Sequence, residues 1–161
     1  MIAHQETNTM LTSIKTLYQR ALRSCAKLDW LGPLVVRLII GVAFFFDGKG
    51  KLENLDKVTS FFADDLHIPF PHANAVFVSV VELVGGLLLV IGLGTRIAAL
   101  LLAATMAVAF VTAIVPHSDS VLDLFSTIEL TYLAIFVWLI VSGGGPISVD
   151  HLIARRESQV Q

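Results

Sequence analysis

The stretch from Ala75 to Gly94 limits the fold more than any other part of the chain. It is almost wholly apolar, and its length is the one that a helix needs to cross a bilayer. One carboxylate, Glu82, lies near its centre, and Gly85 and Gly86 follow about one helical turn later. A charge at that depth is costly and usually faces a partner inside a bundle, whereas glycines let another helix approach closely. The stretch therefore predicts a spanning helix that buries an acid against a neighbouring helix.

The composition extends this prediction to the whole chain. Apolar residues make up 55% of the 161 residues, and the mean hydropathy is +0.78. Soluble proteins are about 45–50% apolar, so the chain is predicted to be an all-α integral membrane protein that lies in a lipid bilayer. No basic tract indicates nucleic-acid binding. Cys25 is the single cysteine, which excludes an intrachain disulfide and a CxxC redox pair.

Apolar segments and their breaks divide the chain into regions. Four spanning helices are predicted over about 33–53, 72–94, 96–116 and 121–142, within a membrane domain that covers 33–152. An amphipathic connection between the first two spans, residues 54–74, is too short and polar to cross the bilayer. The expected fold is a four-helix bundle in the membrane.

The two ends of the chain are polar. Residues 1–9 are expected to be disordered, and residues 153–161 to form a cytoplasmic tail. Residues 10–30 place apolar side chains at helical spacing beside basic ones, which predicts an amphipathic helix in the membrane interface. A soluble helix packed against a partner protein is the alternative for this segment.

The distribution of basic residues predicts the orientation. Four spans leave both termini on one side of the membrane, and seven Lys or Arg residues flank that side against three on the other. The seven are Lys15, Arg20, Arg23, Lys27, Arg96, Arg155 and Arg156, and the three are Lys49, Lys51 and Lys57. Both termini are therefore expected in the cytoplasm.

Charged residues inside the predicted spans form the candidate site. By helical rise, Glu82 and Glu129 both fall about 12–15 Å from the outer ends of their helices, with Asp47 and Lys51 nearer the outer surface. The functional hypothesis is an outward-opening polar cavity lined by these four residues, whose acids would serve a quinone headgroup or a proton relay. The alternative is that the acids pair with Arg37, Lys51 or backbone groups and only lock the helices together.

Several short motifs, taken in order, resemble the DoxX family of small four-helix membrane proteins. The first predicted helix carries Arg37, Gly41, Phe45, Gly48 and Lys51. The connection after it, from Phe61 and Phe62 to Pro69, resembles the family's aromatic loop that ends near a proline. The second helix carries the E-x2-GG block Glu82, Gly85 and Gly86, followed by Gly92, Thr95 and Arg96. Gly144, Pro146, Ser148 and Asp150 close the pattern. The resemblance covers about residues 33–152 and implies a multi-pass protein of the bacterial inner membrane. We expect the following residues to have structural or packing roles: Arg37, Gly41, Gly48, Gly85, Gly86, Gly92 and Arg96.

The resemblance also implies a redox setting. Relatives are linked with quinone-coupled oxidation of thiosulfate and with membrane-bound oxidative-stress complexes. We expect a small membrane subunit of a respiratory or redox-stress system that contacts quinone. Whether it is itself an enzyme stays open; if it is, it would be a subunit of a quinone-linked oxidoreductase. No agreed set of catalytic residues carries over from the family.

Two alternatives of other classes stay open. One is a non-catalytic scaffold that recruits soluble redox enzymes through residues 10–28, and the other is a transporter of small solutes or protons. A homo-oligomer is compatible with each of these functions.

The histidines do not predict a metal site. His67, His72 and His117 fall on the predicted outer side, but their spacing matches no established ligand signature. No histidine lies in the middle of a predicted span, where a buried haem would need its axial ligand. Quinone is the cofactor that the resemblance to the DoxX family implies.

Overall fold

The computed structural model describes residues 15–20, 28–118 and 120–159, and the chain forms two compact units, Met1–Gly32 and Pro33–Gln161. In the first unit, residues 15–20 are helical and residues 28–30 form a turn. The predicted tail over 1–9 and most of the predicted amphipathic helix over 10–30 lie outside the described residues. Both stay predictions.

Helices alone build the part of the second unit that the structure describes, which confirms the all-α fold class. The α-helices are α1 (Leu31–Glu53), α2 (Leu55–Ser60), α3 (Pro71–Ile91), α4 (Thr95–Ala109), α5 (Val121–Phe125), α6 (Ile128–Ser142) and α7 (Val149–Glu157). A π-helical turn, Phe61–Asp65, follows α2; a second, Phe110–Ile114, continues α4 and leads to a 3-10 turn, Val115–His117. Much of the predicted polar tail is therefore helical, in α7.

Three helices are long and apolar enough to cross a membrane. They are α1, α3 and the continuous segment Thr95–His117, which have 21 to 23 residues each. At 1.5 Å per residue they extend about 32–35 Å, slightly more than the hydrocarbon thickness of about 30 Å. The chain is therefore a membrane protein, and the first three predicted spans coincide with these helices.

The fourth predicted span is not one continuous helix. Ser126 and Thr127 separate α5 from α6, and Thr127 has extended backbone angles (φ −80°, ψ 147°). The 15-residue helix α6 extends only about 22 Å, less than the hydrocarbon thickness. An uninterrupted helix over 121–142 is therefore wrong, and a fourth crossing stays a prediction. As a consequence, Glu129 lies in the first turn of α6, not two turns inside a longer helix.

Glycines let the backbones of α1 and α3 come into contact. A Cβ added to Gly48 would lie 2.7 Å from the carbonyl oxygen of Ser79 and would also collide with the backbone of Leu83. A Cβ added to Gly86 would lie 2.6 Å from the carbonyl oxygen of Gly41. These separations are too short for any side chain, so the two helices can cross this closely only at glycine. Gly85 instead faces α4, where its Cβ would lie 3.0 Å from the Leu102 side chain.

The apolar core lies between α1, α3, α4 and α6. Phe44 of α1 contacts Tyr132 and Phe136 of α6 edge-on, with ring centroids 5.1 Å apart in both pairs. Small residues of α4, Ala99 and Ala103, are buried in the same core. Together these contacts hold α1, α3, α4 and α6 as one packed unit.

The connection between α1 and α3 folds back over the bundle. At the end of its π-helical turn, the Leu66 N–H donates to the carbonyl of Phe61, five residues earlier, at 3.1 Å. His67 and Phe70 then adopt left-handed backbone angles (φ 52° and 51°), which turn the chain into Pro71 at the start of α3. Helix α2 consequently packs against α3 and brings its aromatic neighbours close to the Glu82 region.

We expect Gly48→Ala to destabilise the protein by about 1–3 kcal/mol, because the added Cβ meets fixed backbone atoms of α3. Gly50→Ala is the matched control on the same helix, since nothing lies within 4 Å of its added Cβ. Alanine there should leave stability unchanged or raise it slightly. Thermal unfolding of both variants in detergent checks this. Equal unfolding temperatures would show that the close crossing at Gly48 does not exist.

Candidate functional site

Helix α1 carries one buried or half-buried basic residue toward each end. Arg37 and Lys51 are fourteen residues apart, which corresponds to about 21 Å along the axis. Arg37 lies at the end of the bundle where α3 turns into α4 and α6 turns into α7. Lys51 lies at the opposite end, below the connection between α1 and α3. The two ends have different chemistry.

Arg37 stabilises the loop between α6 and α7. It is only 2% exposed, and its guanidinium donates to the carbonyls of Gly144 at 2.5 Å and of Ile147 at 2.7 Å. Gly92 packs against the same guanidinium with a left-handed backbone (φ 71°), so a side chain there would be both strained and obstructed. Arg37 and Gly92 are therefore in direct contact with each other and with this loop, and their structural role stays a prediction.

Asp150 caps the start of α4 from a distant part of the chain. Its carboxylate accepts hydrogen bonds from the N–H groups of Gly94 at 2.6 Å and Thr95 at 2.9 Å, and its own N–H donates to the carbonyl of Gly92 at 2.9 Å. Burial raises the pKa of the Asp150 carboxyl, but these hydrogen bonds and the nearby Arg37 charge outweigh burial and hold the pKa below its usual range. Asp150 thus satisfies helix N–H groups that would otherwise lack partners.

Arg96 completes this structural end. Its guanidinium donates to the carbonyl of Val141, in the last turn of α6, at 3.2 Å. Ser148 caps α7, because its hydroxyl accepts from the N–H of His151 at 3.2 Å. The residues at this end therefore hold loops and helix ends together.

At the other end, Lys51 and Glu82 form an ion pair between α1 and α3. The Lys51 Nζ lies 2.5 Å from both carboxylate oxygens of Glu82. Glu82 is 1% exposed, and the Lys51 side chain is 36% exposed. The close crossing at Gly48, one turn before Lys51, brings the two side chains within reach. Glu82 lies near the middle of α3, about 14–17 Å from either end.

An apolar cavity of about 360 Å³ lies on one side of this pair. Phe61, Phe62 and Leu66 of the connection form one wall, and Met106 and Ala113, on α4 and its π-helical continuation, form part of another. Lys51 and Glu82 are part of the lining, and the exposed Lys57 also contributes. The cavity combines a largely apolar wall with one buried ion pair.

A second cavity, of about 310 Å³, lies against the same pair; it is named the polar cavity because four charged side chains line it beside apolar ones. The four residues that the sequence singled out, Asp47, Lys51, Glu82 and Glu129, all line it, together with Tyr132. Glu129 reaches this position because α6 begins inside the bundle, beside α1 and α4. The structure therefore brings the four candidate residues together, while their functional roles stay predictions.

Sequence reasoning missed most of the apolar wall. The sequence places Phe61, Phe62 and Leu66 in the amphipathic connection over 54–74, but their spacing does not point to a site. Two π-helical turns border this cavity, and such turns often occur at functional sites, yet neither has a reliable sequence signature. Asp150 was matched to a motif without a role, and its capping contacts are visible only in three dimensions.

A comparison with protein families finds a match to the DoxX model over residues 32–114, about half of the chain. The chain belongs to the DoxX family. The matched region contains every residue that lines the apolar cavity, from Lys51 to Ala113. The polar cavity takes Ile128, Glu129 and Tyr132 from beyond the DoxX match.

One curated relative of this DoxX protein is "Putative oxidoreductase CatD" of Bacillus subtilis (strain 168). The two are 35% identical over 82 residues, which is 51% of this chain and 59% of the relative. The alignment thus spans less than two thirds of the relative's length. No solved structure matches this DoxX chain.

We expect Asp150→Asn to destabilise the protein by about 1 kcal/mol near neutral pH, since the amide cannot accept both helix N–H groups. Because the Asp150 pKa is lower in the folded state, the carboxylate stabilises the fold above its unfolded pKa of about 4, and this contribution is lost as pH falls through the folded value. The difference in thermal unfolding temperature between wild type and variant should therefore shrink below about pH 4. The exposed Glu157, changed to Gln, is the control. A difference that stays constant as pH is lowered well below about 4, while both proteins still unfold cooperatively, would contradict the assignment.

Proposed function

We propose that this DoxX protein is a small membrane subunit of a redox system that binds a quinone in the apolar cavity. The observation that carries the proposal is the position of the Lys51–Glu82 ion pair in the lining of that cavity. Aromatic and aliphatic side chains can pack against the ring and tail of a quinone, and the Lys51 ammonium beside them can donate a hydrogen bond to a carbonyl oxygen.

The dimensions and donors of the cavity support this ligand class. Its volume of about 360 Å³ falls in the range of about 300–1,000 Å³ that small-molecule sites occupy. The Lys51 ammonium has three N–H donors, and its two contacts with Glu82 leave one donor for a ligand carbonyl. Phe62 and Met106 offer an aromatic and a thioether surface against which a ring can pack.

The roles of the residues follow from these positions. A bound quinone supplies the capacity to take up two electrons and two protons. Lys51 orients a carbonyl oxygen, Glu82 holds a carboxyl group that can carry a proton beside it, and the apolar wall keeps bulk water away from both. The oxidoreductase name of the Bacillus subtilis relative agrees with this setting.

We also propose that the protein lies in a bacterial inner membrane with both termini in the cytoplasm. The positive charge bias supports this orientation. The ion pair supports the same orientation. Lys51 pairs with Glu82 inside the bundle, so only Lys49 and Lys57 remain as basic residues that flank the outer side. The scaffold hypothesis depends on residues 10–28, of which the structure describes only 15–20 and 28, so it receives no support from the described contacts.

Quinone that co-purifies with the protein tests the proposal. After extraction in native lipids, mass spectrometry should find quinone in the wild-type protein above the level of the surrounding lipid. Phe62→Ala removes a ring from the cavity wall, and we expect about tenfold less retained quinone. Phe46→Ala is the matched control, since Phe46 is 60% exposed on α1 and lines neither cavity. Equal quinone in all three proteins, or none above the lipid level in the wild type, would contradict the proposal.

A further inference from the structure

The polar cavity is a second compartment that quinone binding by itself does not require. It shares Lys51, Glu82, Met106 and Ala109 with the apolar cavity, so the two cavities meet at the ion pair. A proton on Glu82 could therefore be exchanged with either compartment. The second compartment is therefore in a position to exchange protons with Glu82.

The charges around the two cavities differ in sign. The polar cavity has three carboxylates, Asp47, Glu82 and Glu129, and one ammonium, Lys51. The apolar cavity has two ammonium groups, Lys51 and Lys57, and one carboxylate, Glu82. With all groups ionised, the polar cavity has an excess of negative charge, which favours uptake of a proton when it is partly shielded from water. The apolar cavity has an excess of positive charge.

The titratable groups that line the two cavities with Glu82 come from three neighbouring helices. Helix α1 contributes Asp47 and Lys51, and α6 contributes Glu129 and Tyr132. Helix α2 contributes Lys57 to the apolar cavity. The residues that α4 contributes to both cavities do not titrate. Glu82 therefore shares the two cavities with two ammonium groups, two carboxylates and one phenol.

The carboxylates also form a gradient of exposure. Asp47 is exposed at the rim, Glu129 is half-buried, and Glu82 is 1% exposed. Tyr132 lies beside them and packs edge-on against Phe44, with ring centroids 5.1 Å apart. The three carboxylates thus lie in order of decreasing exposure, from Asp47 through Glu129 to the buried Glu82 of the ion pair.

We propose that the polar cavity is a proton-loading compartment, in which Asp47 and Glu129 take up protons from water and pass them to Glu82. A proton that reaches Glu82 neutralises its carboxylate and loosens the pair with Lys51. Glu82 then gives the proton to a quinone oxygen in the apolar cavity that has gained negative charge from an electron donor of the redox system. This transfer restores the carboxylate and the ion pair, so charge, electrons and protons balance. Only this last transfer rests on the proposed quinone function.

Dicyclohexylcarbodiimide tests the proposal on the full-length protein in lipid nanodiscs. This apolar reagent adds to protonated carboxyl groups in apolar surroundings, and peptide mass spectrometry measures the adduct at Glu82 over a pH series that spans neutrality. The wild-type protein should be labelled at Glu82, and labelling should fall as pH rises. Lys51→Met should increase labelling, because the cation that favours the carboxylate is gone.

The decisive variant is Asp47→Asn with Glu129→Gln. We expect about tenfold less adduct at Glu82 near neutral pH, because two negative charges that favour a proton on Glu82 are absent. Glu53→Gln is the control: Glu53 is exposed, pairs with Lys49 at 3.5 Å and lines neither cavity. Unchanged labelling in the double variant would overturn the proposal. If the double variant does not fold, each single change should lower labelling in part, and no effect from either one would also overturn it.

A quinone analogue added before labelling separates this proposal from the proposed function. If the analogue does not protect Glu82 but the double variant still loses labelling, the quinone site fails and the proton-loading compartment stands. If the analogue protects Glu82 and the double variant labels like the wild type, the compartment fails and the quinone site stands. Suppression of labelling by sodium ions at constant pH would indicate a cation site instead and would overturn the proposal.

Discussion

The ion pair between Lys51 and Glu82 is the interaction on which the candidate site depends. A carboxylate in the middle of a membrane-spanning helix is tolerated only with a partner, and Lys51 contacts both of its oxygens. The pair forms because α1 and α3 cross at glycines, which brings Lys51 within reach of Glu82. The same pair lies in the lining of both cavities, so packing, charge and any ligand chemistry meet at this one place.

The polar side chains at the opposite end of α1 make contacts of a different kind. There the polar groups are directed at backbone: Arg37 donates to two carbonyls, and Asp150 accepts from two N–H groups. Lys51 and Glu82 instead pair with each other, and neither contacts a backbone group in the described hydrogen bonds. A buried ion pair is a poor source of stability compared with apolar packing, because both charges lose water. This contrast between the two ends is the physical reason for assigning function to the Lys51–Glu82 end.

The sequence predicted the part of the structure that depends on local pattern. The all-α class, the positions of three spans and the buried acid followed from apolar length and from Glu82 near the middle of its run. The break at Ser126 and Thr127 did not, because no glycine or proline marks it and serine and threonine also occur within helices. The capping of α4 by Asp150 joins residues more than fifty positions apart, and the apolar wall needs two π-helical turns, so neither could be read from spacing. The functional roles of Asp47, Lys51, Glu82 and Glu129 stay predictions.

A double-mutant cycle on the ion pair tests most directly whether the pair serves a ligand or only locks the helices. Lys51→Met alone leaves a buried carboxylate without its partner and should cost about 3 kcal/mol or more. Adding Glu82→Leu removes that charge as well, and the double variant should regain most of its stability in thermal unfolding. Our account predicts that this stable double variant nevertheless retains about tenfold less quinone than the wild type, because its cavity lacks the ammonium donor and the acid. A stable double variant that binds quinone as the wild type does would contradict the account and would reduce the Lys51–Glu82 pair to a structural lock.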